Sequence, residues 1–202
     1  MSDEAWLFPL FLKLRGRKVV VVGGGNVAAA KIGALVAAEA DVTVVAPEIH
    51  PSIRSTDVAV LIRPFTRSDL DGAWLAVAAA TPAVNREVRA AGEERRIFVN
   101  AVDDPDTASA FTGGVLRRGG VTIAVSTGGA APALAGLLRE GLEAVVPEQI
   151  EEWVREAQEL RRRQRVEGVP MSARRPLLLE ALNDLYAKRA AEAAAPQTTV
   201  RP

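Results

Sequence analysis

Hydrophobic positions in the first hundred residues fall into short blocks of two alternating kinds. Val19-Val20-Val21-Val22 is an unbroken β-branched run, the pattern of a strand buried on both faces in the middle of a parallel sheet. The Gly23-Gly24-Gly25 turn follows it. Residues 28–39 come next, with an alanine-rich composition that suits a helix lying on a sheet. The alternation continues with predicted strands at 41–45, 58–62, 73–78 and 96–100, and with a helix from Pro82, a residue suited to a first turn, to about 94. Strands regularly separated by helices imply parallel pairing and a doubly wound sheet.

The rhythm changes beyond Pro105. Residues 110–116 and 121–126 read as two strands joined at Arg117-Arg118-Gly119-Gly120, with no helix between them. Helices are predicted at 132–145, at 147–165 with Ile150, Trp153, Val154, Ala157 and Leu160 along one face, and at about 176–191. The end from Ala193 is expected to fray. The predicted fold class is α/β: a Rossmann-type doubly wound parallel sheet over 1–112, a small segment over 113–146, and a C-terminal helical domain over 147–202.

Composition narrows the chemistry. The chain carries 25 Lys and Arg against 25 Asp and Glu among 202 residues, so no general attraction to nucleic acid or anionic lipid is expected. There is no Cys, which excludes disulfides, thiolate nucleophiles and sulfur metal sites. A single His, His50, precludes a His-rich metal cluster within one chain, and no metal site is expected. No basic segment leads into a long apolar run, and no stretch reaches the roughly 18 apolar residues of a membrane span; a soluble cytoplasmic protein is expected.

Gly23, Gly25 and Ala28 fit the G-x-G-x-x-G/A spacing of a dinucleotide site. Gly23 permits the tight turn, Gly25 lets the backbone approach a pyrophosphate, and Ala28 lets helix and strand pack closely. Amides at the helix start then favour the anion. After the second strand comes Pro47-Glu48, and nothing basic lies between Val42 and Pro51 to hold a 2′-phosphate. NAD is therefore expected over NADP, unless Glu48 is only a solvated loop carboxylate. Asn100-Ala101-Val102-Asp103-Asp104-Pro105 leaves the fifth strand at the carboxyl edge, where open α/β sheets place ligands. An Asp there either handles a proton or caps a turn. Ser126-Thr127-Gly128-Gly129 precedes a predicted helix and reads as a second anion site or as a simple helix cap. Arginines cluster at Arg95 and Arg96, at Arg117 and Arg118, and beyond, which in a neutral chain suggests a polycarboxylate or phosphate ligand.

Taken in order, Val22-Gly23-Gly24-Gly25-Asn26-Val27-Ala28, the 100–105 segment and Ile123-Ala124-Val125-Ser126-Thr127-Gly128-Gly129 closely resemble the precorrin-2 dehydrogenase family, also found as the N-terminal module of siroheme synthases. Phe8-Pro9-Leu10-Phe11-Leu12-Lys13-Leu14 and Phe65 followed by Asp69-Leu70 match as well, so the likeness runs from about residue 6 to about 150. The resemblance implies oxidation of precorrin-2 to sirohydrochlorin with NAD as acceptor, in siroheme or cobalamin biosynthesis. Some members also insert iron. It implies Asp103 as the catalytic aspartate, and cofactor contacts at Gly23, Gly25, Asn26, Val27, Pro47, Glu48 and Thr81. Substrate contacts are expected at Asn100, Ser126, Thr127 and Gly128 with Arg117 and Arg118. It also implies a homodimer, with 113–146 as the dimerisation segment. One departure stands out: where relatives often carry an aromatic-Pro-Ala run before the Arg-Arg-Gly turn, this chain has Phe111-Thr112-Gly113-Gly114. Two rival readings remain, a non-catalytic NAD-sensing regulatory domain and a dehydrogenase of another acidic metabolite.

Overall fold

A computed structural model describes residues 7–102 and 108–194, with side chains through 187. Five strands form one parallel sheet: β1 (Lys18–Val22), β2 (Asp41–Ala46), β3 (Ala59–Ile62), β4 (Leu75–Ala78) and β5 (Phe98–Ala101), in the order β3-β2-β1-β4-β5. The order reverses direction between β1 and β4. A ligand crevice opens at such a switch point, outside the carboxyl ends of the strands. α1 (Asn26–Ala37) connects β1 to β2, the short α2 (Pro51–Arg54) lies between β2 and β3, and α3 (Pro82–Arg95) connects β4 to β5.

The valine run behaves as its composition demands. Val19 and Val21 pack with Ala28, Ile32 and Leu35 on one face, and Val20 and Val22 pack with Leu70, Val88, Ala91 and Val99 on the other. All four are at most 2 % exposed. Alternate side chains of a strand point to opposite faces, so a strand covered on both sides has no position left for a polar residue. Each such valine contributes about 1.5–3 kcal/mol by burial. α3 approaches β5 closely enough that a Cβ at Gly92 would lie 2.5 Å from Val99 Cγ2.

A short 3-10 turn (Arg67–Leu70), opened by a capping box between Thr66 and Asp69, precedes β4, and beyond β5 lie β6 (Gly114–Arg118), β7 (Val121–Val125), α4 (Pro132–Val145), α5 (Ile150–Val166) and α6 (Met171–Ala194). β6 and β7 form a separate two-stranded sheet. The chain divides into two compact units, residues 1–114 with 126–136 and residues 115–125 with 137–202, so the 113–146 segment is shared between them. In the second unit the hairpin glycine Gly119 (φ +52°) lies so close to α5 that an added Cβ would sit 2.6 Å from the Glu151 amide nitrogen. Ile150, Trp153, Val154, Ala157 and Leu160 are all half-buried. Trp153 meets Tyr186 of α6 edge-on, with ring centroids 5.2 Å apart.

Three element starts differ by three residues or more from the sequence pattern. The expected strand at 110–116 is displaced to Gly114–Arg118, because Ser109 and Ala110 are occupied at the edge of β5: both amides donate to Val99 O, at 2.9 and 3.0 Å, and Ser109 Oγ accepts the Val99 N–H at 2.8 Å. α5 begins at Ile150, not Pro147. α6 begins at Met171 and carries Pro176 inside it. Proline forfeits one helical hydrogen bond there but does not open the helix.

Candidate cofactor and substrate site

The glycine turn divides its work among three residues. Gly23 has φ +126°, a region that disfavours side chains, and a Cβ there would lie 2.2 Å from Ala79 O. A Cβ at Gly24 would lie 1.9 Å from Glu48 O and 3.0 Å from Ala46 Cβ. These two glycines let the loops after β1, β2 and β4 converge, an arrangement tied by Gly23 N–H to Val45 O (3.0 Å) and His50 N–H to Gly24 O (2.7 Å). Gly25 is the opposite case. It is the N-cap of α1 with φ −88°, and a Cβ there would meet nothing within 4 Å. Its side faces open space, with no side-chain cap at the helix start and no acidic residue in the first turn. That is the place and the polarity a pyrophosphate requires. Ala28, fully buried, packs helix against sheet as its spacing implied. The role of Gly24 was missed, since its partner lies 24 residues away and leaves no periodic trace.

The other expected cofactor positions lie along the same carboxyl edge. Asn26 and Val27 are exposed on the first turn of α1, Pro47 and Glu48 are exposed after β2, and Thr81 is exposed as the N-cap of α3. Buried Asn85 shapes the loop before Thr81, its Oδ1 accepting the Ala80 N–H at 3.0 Å. Arg63, directly after β3, is the basic residue that the parallel register brings beside the end of β2, its N–H donating to Ala46 O at 3.1 Å. Its guanidinium is committed elsewhere, donating to Asp69 Oδ1 at 2.6 Å and Oδ2 at 2.8 Å.

That pair makes an acid-sensitive clamp. The Arg63 hydrogen bond, helped by the Thr66 N–H and hydroxyl, outweighs burial and holds the Asp69 carboxyl below the ordinary carboxylate range, while Arg63 is raised in turn. A carboxyl depressed on folding adds stability above its unfolded pKa of about 3.9, and that contribution disappears as pH falls through the folded value. Asp69→Ala is therefore expected to cost about 1–2 kcal/mol at pH 7, much of it from the lost capping box, and to make the acid side of the stability profile shallower below about pH 4. Chemical denaturation from pH 3 to pH 7 measures both effects.

Within the first unit, a cavity of about 480 Å³ opens between α1, the end of β5 and the turn before α4. Lys31, Asn100 to Val102, Phe111 to Gly114, Ser126, Thr127, Gly129, Pro132, Ala135 and Gly136 line it. Asn100 is 5 % exposed. Its Nδ2 donates to Ala110 O at 2.9 Å, and its Oδ1 is buried with no hydrogen-bond partner among the described residues. Lys31 Nζ donates to Thr112 Oγ1 at 3.0 Å. Ser126 Oγ accepts the Gly128 N–H (3.2 Å) and Thr127 Oγ1 accepts the Ala131 N–H (3.1 Å), so both hydroxyls cap the turn while facing the cavity.

The structure thus brings Asn100, Ser126 and Thr127 together, with Gly129 rather than its neighbour Gly128 on the wall. Arg117 and Arg118, expected as substrate ligands, are not among the lining residues. Arg118 instead donates to the Glu143 carbonyl (3.2 Å) and the Val146 carbonyl, serving the carbonyl end of α4 within the second unit. Asp103 lies outside the described residues. The chain reaches that position from Val102, whose N–H donates to Ala78 O at 3.0 Å and which itself lines the cavity. Because Ala101 pairs with Ala78 and Ala78 with Val22, the end of β5 and the glycine turn share one sheet edge, two strand spacings or about 10 Å apart. Among the described residues no group of three or more His, Asp or Glu could hold a metal ion, and no helix is long and apolar enough to cross a membrane.

Comparison with known proteins agrees with this layout. Residues 10–114 match the family model described as "Putative NAD(P)-binding", and residues 118–144 match "Sirohaem biosynthesis protein central". Siroheme synthase 2 of Cronobacter sakazakii is 41 % identical over 172 residues, covering 83 % of this chain and 38 % of that protein. A siroheme synthase of Gluconacetobacter diazotrophicus is 44 % identical over 155 residues, covering 72 % and 33 %. The chain therefore spans about a third of the length of these relatives. Among solved structures, SirC, precorrin-2 dehydrogenase, superposes with a TM-score of 0.67 at 26 % identity, covering 89 % of this chain and 92 % of that one.

Proposed function

We propose that this chain, which belongs to the family described as putative NAD(P)-binding and carries the sirohaem-biosynthesis central segment of the siroheme synthases, oxidises precorrin-2 to sirohydrochlorin with NAD as the acceptor. The observation that carries the reading is the pairing, on one sheet edge, of an open glycine cradle at Gly25 with a cavity that holds the unsatisfied Asn100 Oδ1. The cradle fits a dinucleotide, since the space a Cβ would fill at Gly25 is free and the helix start behind it is uncapped. Bound NAD supplies a two-electron acceptor for the hydride leaving a saturated ring carbon. The amides of Asn26 and Val27 hold the pyrophosphate, Glu48 accepts from a ribose hydroxyl, and Thr81 and Pro47 border the cofactor. Glu48, together with the engagement of Arg63 by Asp69, disfavours a 2′-phosphate and so favours NAD over NADP.

On the substrate side, Asn100 Oδ1 accepts an N–H of the macrocycle, and Ser126, Thr127 and Gly128 receive carboxylate at the start of α4. Asp103 takes the proton that departs as the hydride leaves. Extended conjugation in the product favours the reaction, so the task of the protein is chiefly alignment. Anaerobic incubation of the purified protein with NAD and precorrin-2 is expected to produce the absorption spectrum of sirohydrochlorin. A flat spectrum beside an active control enzyme overturns the proposal.

The same reading makes the protein a homodimer. A two-stranded hairpin such as β6–β7 is marginal alone, and α4 leaves Leu134, Leu137 and Leu138 between 48 % and 65 % exposed. Sedimentation equilibrium is expected to return twice the chain mass, and Leu137→Glu with Leu138→Glu to return the mass of one chain. A wild type that stays monomeric at tens of micromolar would remove the dimer from the proposal.

A further inference from the structure

Among the described residues lining the cavity, Lys31 alone carries a formal charge. It lies on the second turn of α1, half-buried between the sheet-facing residues Ala28 and Ile32. No carboxylate among the described residues lies within ion-pair distance of it. Among the described residues its hydrogen-bond partner is the neutral hydroxyl of Thr112, 81 residues further along. A half-buried ammonium that meets no counter-charge among the described residues keeps much of its electrostatic attraction for an incoming anion, because less water screens it.

A second observation in the same wall points to the same kind of ligand. Asn100 Oδ1 is a buried acceptor without a donor, a costly state that a bound N–H relieves. One ligand satisfying both walls must present an anionic group and an N–H on a common frame, which describes a pyrrole macrocycle bearing carboxylate arms. The cofactor is less suited to this role. None of Gly23 to Val27 lines the cavity, and Lys31 stands five residues along α1 from Asn26, about 8 Å from the helix start where a pyrophosphate would lie.

Resting on the function proposed above, we propose that Lys31, held in place by Thr112, binds a carboxylate arm of the tetrapyrrole and is a principal determinant of substrate affinity. The probe is sirohydrochlorin, which keeps the carboxylate arms, titrated anaerobically into the intact protein and followed by absorbance. NAD affinity is measured beside it as a control for the fold and the neighbouring site. Lys31→Met and Lys31→Gln are each expected to weaken sirohydrochlorin binding about 10- to 100-fold, the usual worth of a hydrogen bond to a charged group, with NAD affinity within about twofold of wild type. Lys31→Arg keeps most of the affinity. Thr112→Val loses severalfold and Thr112→Ser recovers it, as a positioning role requires. Added salt weakens binding to wild type more steeply than to Lys31→Met.

Unchanged sirohydrochlorin affinity in both neutral variants overturns the inference while leaving the dehydrogenase reading intact. So does a loss of NAD affinity with sirohydrochlorin affinity preserved, which would assign Lys31 to the cofactor. A wild type that binds NAD but no sirohydrochlorin overturns the functional reading itself, and this inference with it.

Discussion

Gly25→Ala is expected to fold as well as the wild type and to bind NAD far more weakly, whereas Gly24→Ala, one residue earlier, is expected to destabilise the fold. The difference follows from where a Cβ would go. At Gly24 it would stand 1.9 Å from the Glu48 carbonyl oxygen and 3.0 Å from Ala46 Cβ, against backbone that is held by the sheet. The loop after β2 must then move away from β1. Overpacking against backbone costs about 3 kcal/mol, which for a chain of this size lowers the melting temperature by about 6–12 °C. At Gly25 the backbone has φ −88°, which alanine adopts freely, and the methyl would enter open space. That space is where the pyrophosphate must approach the helix start, so the NAD dissociation constant is expected to rise about 100-fold, two decades at about 1.4 kcal/mol each. Thermal melts and NAD titrations of both variants decide the matter. Wild-type NAD affinity in Gly25→Ala would place the cofactor elsewhere.

Asp103→Asn is expected to lower kcat for precorrin-2 oxidation by a factor of about 10²–10⁴, the range attributed to a positioned general base, with little change in NAD affinity. The amide keeps the size of the side chain and removes its capacity to take a proton. Loss of turnover without loss of cofactor is thus the outcome that separates proton transfer from scaffolding. The sheet register supports the assignment, since the chain leaves β5 at Val102 on the edge where Gly23 leaves β1. Near wild-type turnover would remove Asp103 from the mechanism. A fall in NAD affinity with kcat preserved would make it a residue of the cofactor site.

How much of this was legible along the chain differs by kind of interaction. The valine run, the glycine spacing and the strand–helix alternation are local, and each led to the correct element. Side-chain identity there reports burial on both faces, a tight turn, or a crossover. Pro47, Glu48 and Thr81, which the family resemblance had pointed to, are all exposed on the carboxyl edge, because a parallel sheet puts all of its βα turns on one side. Arg118 and Lys31 show where such reading stops. Clustering made the arginines look like ligands, yet the geometry of the hairpin turns Arg118 to the open carbonyls at the end of α4. Lys31 drew no attention as a solitary lysine in an alanine-rich helix, yet the helix carries it to a cavity wall opposite Thr112. Ala110 likewise looked like strand and instead, with Ser109, closes the open edge of β5.

The sequence by itself determined the parallel sheet, its dinucleotide turn and the family, because those depend on neighbours within a few residues or on spacing that periodicity records. Only the tertiary structure decided which glycine is hemmed in by backbone and which opens onto free space, and which cation lines the cavity. It also left Asn100 with an acceptor to spare. Those properties arise between residues 24 to 81 positions apart, and their chemistry exists only once the sheet has brought the distant segments within a few ångströms.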